Sequence, residues 1–265
     1  MGELDDFTEG TFEHGSATRT VFRLGTGPAV IVIEEVPGIT PRVADFARRV
    51  AAIGCTAVVP SLFGTPGKAP TPAYALQTVA GTCVSREFTL FARGRTSPIT
   101  VWLRALARHE HEACGGPGVG AVGMCLTGGF ALAMMVDATV LAPVLSQPSL
   151  PIGLTKAHRA DLGISDADLA QVKQRCETED LCVLGLRFSG DKLAPPERFA
   201  RLQAELGDAF VGVEIDSSPG NPWGHPKAAH SVLTEHLVDE PGQPTHDALE
   251  QVLDLFRRRL LAAPA

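Results

Sequence analysis

Short apolar runs rich in β-branched residues recur along this chain, at residues 28–35 (PAVIVIEE), 55–63 (CTAVVPSLF), 119–125 (VGAVGMC), 139–148 (TVLAPVLSQP), 181–190 (LCVLGLRFSG) and 209–216 (AFVGVEID). Runs that are apolar at consecutive positions need cover on both faces, which is the signature of strands inside a parallel sheet. Stretches with helical spacing lie between them. This alternation has few solutions, because parallel neighbours must be joined by right-handed crossovers. The expectation is an α/β fold, with five or six parallel strands in a doubly wound sheet flanked by helices.

The helix signals fit between the runs. Pro41 suits a first helical position, Val43, Phe46, Ala47 and Val50 share one face, and Gly54 ends the pattern. Ile99, Trp102, Leu103, Leu106 and Ala107 mark a helix over 98–112, followed by Gly115-Gly116. Further helices are expected over 127–136, from Ser165 with Asp168 as a box-like cap, over 195–206 and over 246–262. Residues 64–82, rich in Gly, Pro and Thr, read as a loop excursion. The irregular stretches 64–97 and 149–164 are candidate lids. With no internal repeat or long linker, residues 1–265 read as one domain, with 1–18 as a peripheral N-terminal segment.

Composition narrows the function classes. The 23 basic and 30 acidic residues leave a net charge of −7 with no basic run, which argues against nucleic acid or an acidic membrane surface as partner. The first twenty residues lack the apolar core of a secretory signal, and no apolar run approaches the ~18 residues that span a bilayer. A soluble, cytoplasmic protein is expected. Six scattered cysteines form no CxxC pair, so neither a zinc ribbon nor a disulfide framework is indicated. His109 and His111 stand two positions apart, on nearly opposite sides of a helix, and cannot share an ion. No metal or other cofactor is expected.

The sharpest local signal is Gly123-Met124-Cys125-Leu126-Thr127-Gly128-Gly129, which closes an apolar run and opens a helix. A nucleophile held on a tight strand-to-helix turn needs small neighbours two positions away, or its backbone collides with the adjacent strand and helix. The helix N-terminus favours a thiolate and a developing oxyanion. The second glycine falls one step late, at Gly128, with Thr127 in the usual position. A glycine-flanked core cysteine is the plain alternative.

Further on, Asp191 follows the run 181–190, and His230 follows the run 209–216 and its loop. Ligands of open α/β sheets collect at the carboxyl ends of strands, and the order nucleophile, acid, base suits such a fold. Asp191 could instead cap the helix over 195–206, and His230 competes with His225, His236 and His246.

In these features the chain resembles the dienelactone hydrolase family, cysteine-dependent members of the α/β-hydrolase fold, over roughly residues 20–262. The resemblance rests on Gly123 to Thr127, on Gly190-Asp191 and on Ala229-His230-Ser231. It implies a single α/β-hydrolase domain with Cys125 as nucleophile, His230 as base and Asp191 as the acid orienting it. It also implies that Glu35, in Glu34-Glu35-Val36-Pro37-Gly38, holds or deprotonates the resting thiol, although Glu34 could take that register. The backbone N–H groups of Val36 and Leu126 would form the oxyanion hole. Family members that open dienelactones grip a substrate carboxylate with two arginines; one corresponds loosely to Arg86, and the other falls at Thr234. Arg86 and Trp223 are candidate substrate contacts.

The activity implied is hydrolysis of an ester or lactone through an acyl-cysteine intermediate, with a small-molecule ester or lactone as partner and room for a homodimer. Two other readings stay open. The fold could persist as a ligand-binding protein with weakened chemistry, or Cys125 could sense peroxide with Cys83 as resolving thiol.

Overall fold

The computed structural model describes residues 2–84, 88 and 91–262, with backbone alone for 82–84. Its centre is the expected set of parallel strands, β3 (Ala29–Ile33), β4 (Thr56–Pro60), β5 (Val119–Met124), β6 (Val140–Ser146), β7 (Val183–Phe188) and β8 (Phe210–Ile215). Two strands precede them, β1 (Thr8–His14) and β2 (Ala17–Gly25), giving an eight-stranded sheet in the order β1-β2-β4-β3-β5-β6-β7-β8. β1 pairs with β2, and β2 with β4, in antiparallel register; all other pairings are parallel.

The segment read as peripheral therefore supplies most of the sheet's edge. Gly15 takes φ +62° in the two-residue hairpin loop, where a left-handed backbone is needed. β1 is mostly exposed, and Phe12 anchors it edge-on against Trp102 with ring centroids 5.4 Å apart.

The helices lie on both faces. α1 (Pro41–Ala52) starts on a Thr40 cap whose Oγ1 accepts from Val43 N at 3.3 Å, and it buries Val43, Ala44, Phe46, Ala47 and Val50. α2 (Pro72–Val84) occupies part of the stretch read as a loop. α3 (Ile99–Cys114), α4 (Phe130–Met134), α5 (Lys156–Ala160), α6 (Asp166–Glu179), α7 (Pro196–Leu206) and α8 (Pro244–Phe256) complete the set. The Ser165 cap is present, with its Oγ accepting from Asp168 N at 3.1 Å. β3 shows how the sheet divides the core. Val30 and Val32 join the cluster under α1 and α8, while Ala29, Ile31 and Ile33 join the one under α3, α4, α6 and α7. Among the described residues, no helix is long and apolar enough to cross a membrane.

Candidate active site

Cys125 sits where β5 ends, in a single 3-10 turn Cys125–Thr127 that leads towards α4. Its φ is +56°, a left-handed conformation that costs a non-glycine residue about 1–3 kcal/mol and persists only when the surroundings impose it. The surroundings are visible. The Cys125 carbonyl accepts from Gly128 N at 3.0 Å and from Ser149 N at 2.9 Å, so the segment after β6 clamps the turn.

The late glycine also has its explanation here. A Cβ on Gly123 would stand 2.1 Å from the Thr127 carbonyl oxygen, and one on Gly128 would stand 2.5 Å from Pro148 Cα. Both positions therefore require glycine. Position 127 does not, because its side chain fills the seam between β5 and β3. Thr127 Oγ1 accepts from Met124 N at 2.9 Å and lies 2.9–3.1 Å from the carbonyl oxygens of Met124, Ile33 and Glu34, one of which takes its proton.

Asp191 follows β7, and its carboxylate does not cap α7, whose cap is Pro195. One oxygen accepts from Leu193 N at 2.9 Å, and the other lies 2.7 Å from His230 Nδ1. The loop carrying it is braced by Arg187, a fully buried side chain that donates to the Ala194 carbonyl at 2.9 Å and to Ser189 O at 3.2 Å, and pairs with Glu214. Burial works against the Asp191 carboxylate, but hydrogen bonding and charge from His230 hold its pKa below the ordinary value.

The competing histidines have other partners. His246 pairs with Asp239 at 2.8 Å. His225 is buried edge-on against Phe188 at 5.1 Å, and burial depresses its pKa. His236 Nδ1 accepts from the backbone N–H of Ser231 at 3.3 Å and of His230 at 3.4 Å, which supports the loop around His230. Burial, with the nearby His230 and His225, lowers the His236 pKa below its ordinary value, which favours the neutral ring that this acceptor role needs.

His230 keeps its second ring nitrogen, Nε2, buried and without a well-formed hydrogen bond. Burial opposes charge on the ring, yet the charge of Cys125 and the hydrogen bond to Asp191 raise its pKa well above the ordinary value. Cys125 acts on the ring both through charge and as a side-chain hydrogen-bond partner, which places its sulfur beside the imidazole. The structure brings Cys125, His230 and Asp191 together from the segments that follow β5, β8 and β7. Burial pushes the thiols of Cys55 and Cys176 up to about 11, which makes them poor nucleophiles.

The two glutamates closing β3 face different neighbours. Glu34 Oε1 accepts from Leu62 N at 2.7 Å and Phe63 N at 2.6 Å, and burial pushes its pKa up to about 8. Glu35 Oε2 accepts from Ser231 Oγ at 2.7 Å and Gln147 Nε2 at 3.1 Å, and Oε1 accepts from Thr234 Oγ1. The hold on the resting thiol expected of Glu35 is absent from these hydrogen bonds. Thr234, where an arginine was expected by resemblance, is buried against Glu35.

Ile33 pairs with Gly123, so Val36 and Leu126 both stand three residues beyond the last matched pair, at the same edge of the sheet. Trp223 is 41% exposed in the loop before His230. Arg86 and the Cys83 side chain lie outside the described residues. Sequence reasoning passes over Gln147, Arg187 and Arg198, and notes Thr127 only as a departure from the glycine pattern. Arg198, fully buried on α7, donates to the carbonyls of Pro148, Asp161 and Pro151 at 2.6, 2.7 and 2.8 Å, pinning the segment that clamps Cys125. Among the described residues, no cluster of side chains could hold a metal ion.

Comparisons with known proteins agree with this architecture. A protein of Klebsiella pneumoniae subsp. pneumoniae MGH 78578 assigned as a dienelactone hydrolase superposes with a TM-score of 0.62 at 17% identity, covering 95% of this chain and 98% of its own. A dienelactone hydrolase-like promiscuous phosphotriesterase from metagenomic libraries gives 0.61 at 16% identity, covering 96% and 98%. The thioesterase domain of the curacin biosynthetic pathway gives 0.54 at 10% identity, covering 94% and 99%. At these identities the likeness concerns the fold. No curated protein matches the chain. The family model of dienelactone hydrolases matches residues 18–260, nearly the whole length, and the chain belongs to the dienelactone hydrolase family.

Proposed function

We propose that this hydrolase-family chain cleaves an ester or lactone through an acyl-cysteine intermediate formed on Cys125. The observation that carries the reading is His230, bound to Asp191 through Nδ1 at 2.7 Å with Nε2 unoccupied beside Cys125. The thiol proton passes to Nε2, and the sulfur attacks the carbonyl carbon. The oxyanion is stabilised by the N–H groups of Val36 and Leu126. The intermediate collapses as the alcohol leaves with the proton from His230. Water, deprotonated by Nε2, then attacks the thioester, and the carboxylic acid leaves as the thiol is restored. Asp191 holds the imidazole in the required tautomer throughout.

The test is p-nitrophenyl acetate together with a panel of lactones. Wild-type protein should acylate on the Cys125 peptide, and Cys125→Ala should lose about 10³-fold or more in kcat. Wild-type turnover in Cys125→Ala removes the assignment. The phosphotriesterase among the structural neighbours favours one second reading, attack of the same thiolate on a phosphotriester, so one such substrate belongs in the panel.

A further inference from the structure

The geometry points to Glu35 and Gln147 as a buried brace that positions His230, leaving the ionisation of Cys125 to His230 alone. This rests on the reading of Cys125 as nucleophile. It departs from the role that resemblance assigns to Glu35.

The argument begins with acceptor capacity. An ionised carboxylate only accepts, and Glu35 is met by three donors from two directions: Gln147 Nε2 from the end of β6, and the hydroxyls of Ser231 and Thr234 from the loop after β8. Both oxygens are occupied and the group is buried. Gln147 is itself fixed from both ends. Its Nε2 serves Glu35, while its Oε1 accepts from Val232 N at 3.3 Å and from Ser146 Oγ. Its backbone takes φ +35°, an uncommon conformation for a non-glycine residue.

The tied residues are informative. Ser231, Val232 and Thr234 lie within four residues of His230, so three contacts fix the segment that carries the imidazole to Glu35 and Gln147, just beyond β3 and β6. A side chain so engaged is a strut. Reaching the thiol would require breaking hydrogen bonds at a buried carboxylate, each unmade partner costing free energy.

The proton balance then involves two groups: Sγ–H gives its proton to Nε2, yielding thiolate and imidazolium. The titratable groups that act on the His230 ring are Asp191 after β7 and His236 after β8, with His225 behind His236; Glu235 lies within electrostatic reach of both Glu35 and Arg42. Of these, Asp191 favours the imidazolium directly.

The experiment is the pH dependence of iodoacetamide alkylation, read on the Cys125 peptide by mass spectrometry in the full-length protein, beside turnover of p-nitrophenyl acetate. On the acid limb, below the ordinary thiol range near 8.5, alkylation of Cys125 should be slower in His230→Gln than in wild type. Glu35→Gln should leave the limb within about half a pH unit of wild type while turnover falls about 10-fold or more. Thr234→Val should do the same, and Thr234→Ser should recover most of the turnover, a rescue that generic destabilisation would not produce. The proposal is overturned if Glu35→Gln moves the acid limb as His230→Gln does, or if Glu35→Gln and Thr234→Val both keep wild-type turnover. Failure of the nucleophile reading looks different: the Cys125 peptide then resists alkylation in wild type at every pH.

Discussion

Replacing Thr127 by valine isolates what one buried hydroxyl does for the nucleophile turn. The side chain is fully buried, and its oxygen accepts from Met124 N at 2.9 Å while facing three carbonyl oxygens. Valine has the same shape but removes both roles. Met124 N loses its hydroxyl partner at a fully buried position, which costs about 1–3 kcal/mol. A methyl group pressed against carbonyl oxygens adds a smaller loss, so about 2–3 kcal/mol is expected in total, a large share of the 5–15 kcal/mol typical of a domain. The loss also acts locally, because Cys125 at φ +56° is held partly by this seam. Turnover should therefore fall at temperatures where the variant remains folded. Urea unfolding followed by circular dichroism gives the first quantity, with an unchanged slope required for the comparison. Initial rates on p-nitrophenyl acetate give the second. Thr127→Ser keeps the hydroxyl and should lose no more than about 1 kcal/mol. A valine variant within about 0.5 kcal/mol of wild type and fully active would refute the reasoning.

Two further outcomes concern pH. His230 has a raised folded-state pKa, so its contribution to stability is complete below the unfolded value near 6.5 and fades as pH rises through the folded value. Asp191 is depressed, so its contribution is present above about 3.9 and is lost as pH falls through its folded value. The stability gap between wild type and Asp191→Asn should thus be widest between about pH 4 and 6.5 and narrow on either side; urea midpoints across pH 3–10 measure it, and a constant gap would contradict the linkage. Glu34 behaves in the opposite sense. Burial raises it from 4.5 to about 8, so the folded chain binds the extra proton and stability falls as pH rises through that window. Glu34→Gln should flatten that fall, and the same titration of urea midpoints decides it.

The parallel strands are legible in the sequence because burial on both faces leaves continuous apolar runs, as at Val30 to Ile33. β1 is not legible for the converse reason: an exposed edge strand needs only Phe12 to anchor it, and TEGTFEH shows no alternation. α2 hides in a stretch whose Gly, Pro and Thr content suggests a loop. Within the site, Cys125, Asp191 and His230 can be found because each follows a strand and the sheet brings those ends together. The groups that steady them cannot. Gln147 meets Glu35 across 112 residues and Thr234 meets it across 199, and neither residue type announces such a role. Thr127 looks like a defect in a glycine pattern until the carbonyls of Ile33 and Glu34 are placed beside it.

The pair Glu34-Glu35 shows why a register uncertain in the sequence matters to the chemistry. Successive side chains at a strand end leave on opposite sides, so one step separates two unlike environments. On one side, two backbone N–H groups and complete burial leave Glu34 with a pKa near 8 and its Oε2 without a partner. On the other, an amide and two hydroxyls gather round Glu35 from the segments that carry Gln147 and His230. Equal chemistry at the two positions would let either glutamate serve the site. Unequal surroundings make their variants separable: Glu34→Gln should alter how stability depends on pH while sparing turnover, and Glu35→Gln should do the reverse. A swap of those two phenotypes would mean that the carboxylate steadying the histidine loop is the one set against Leu62 and Phe63, and that β3 enters the site one residue out of step.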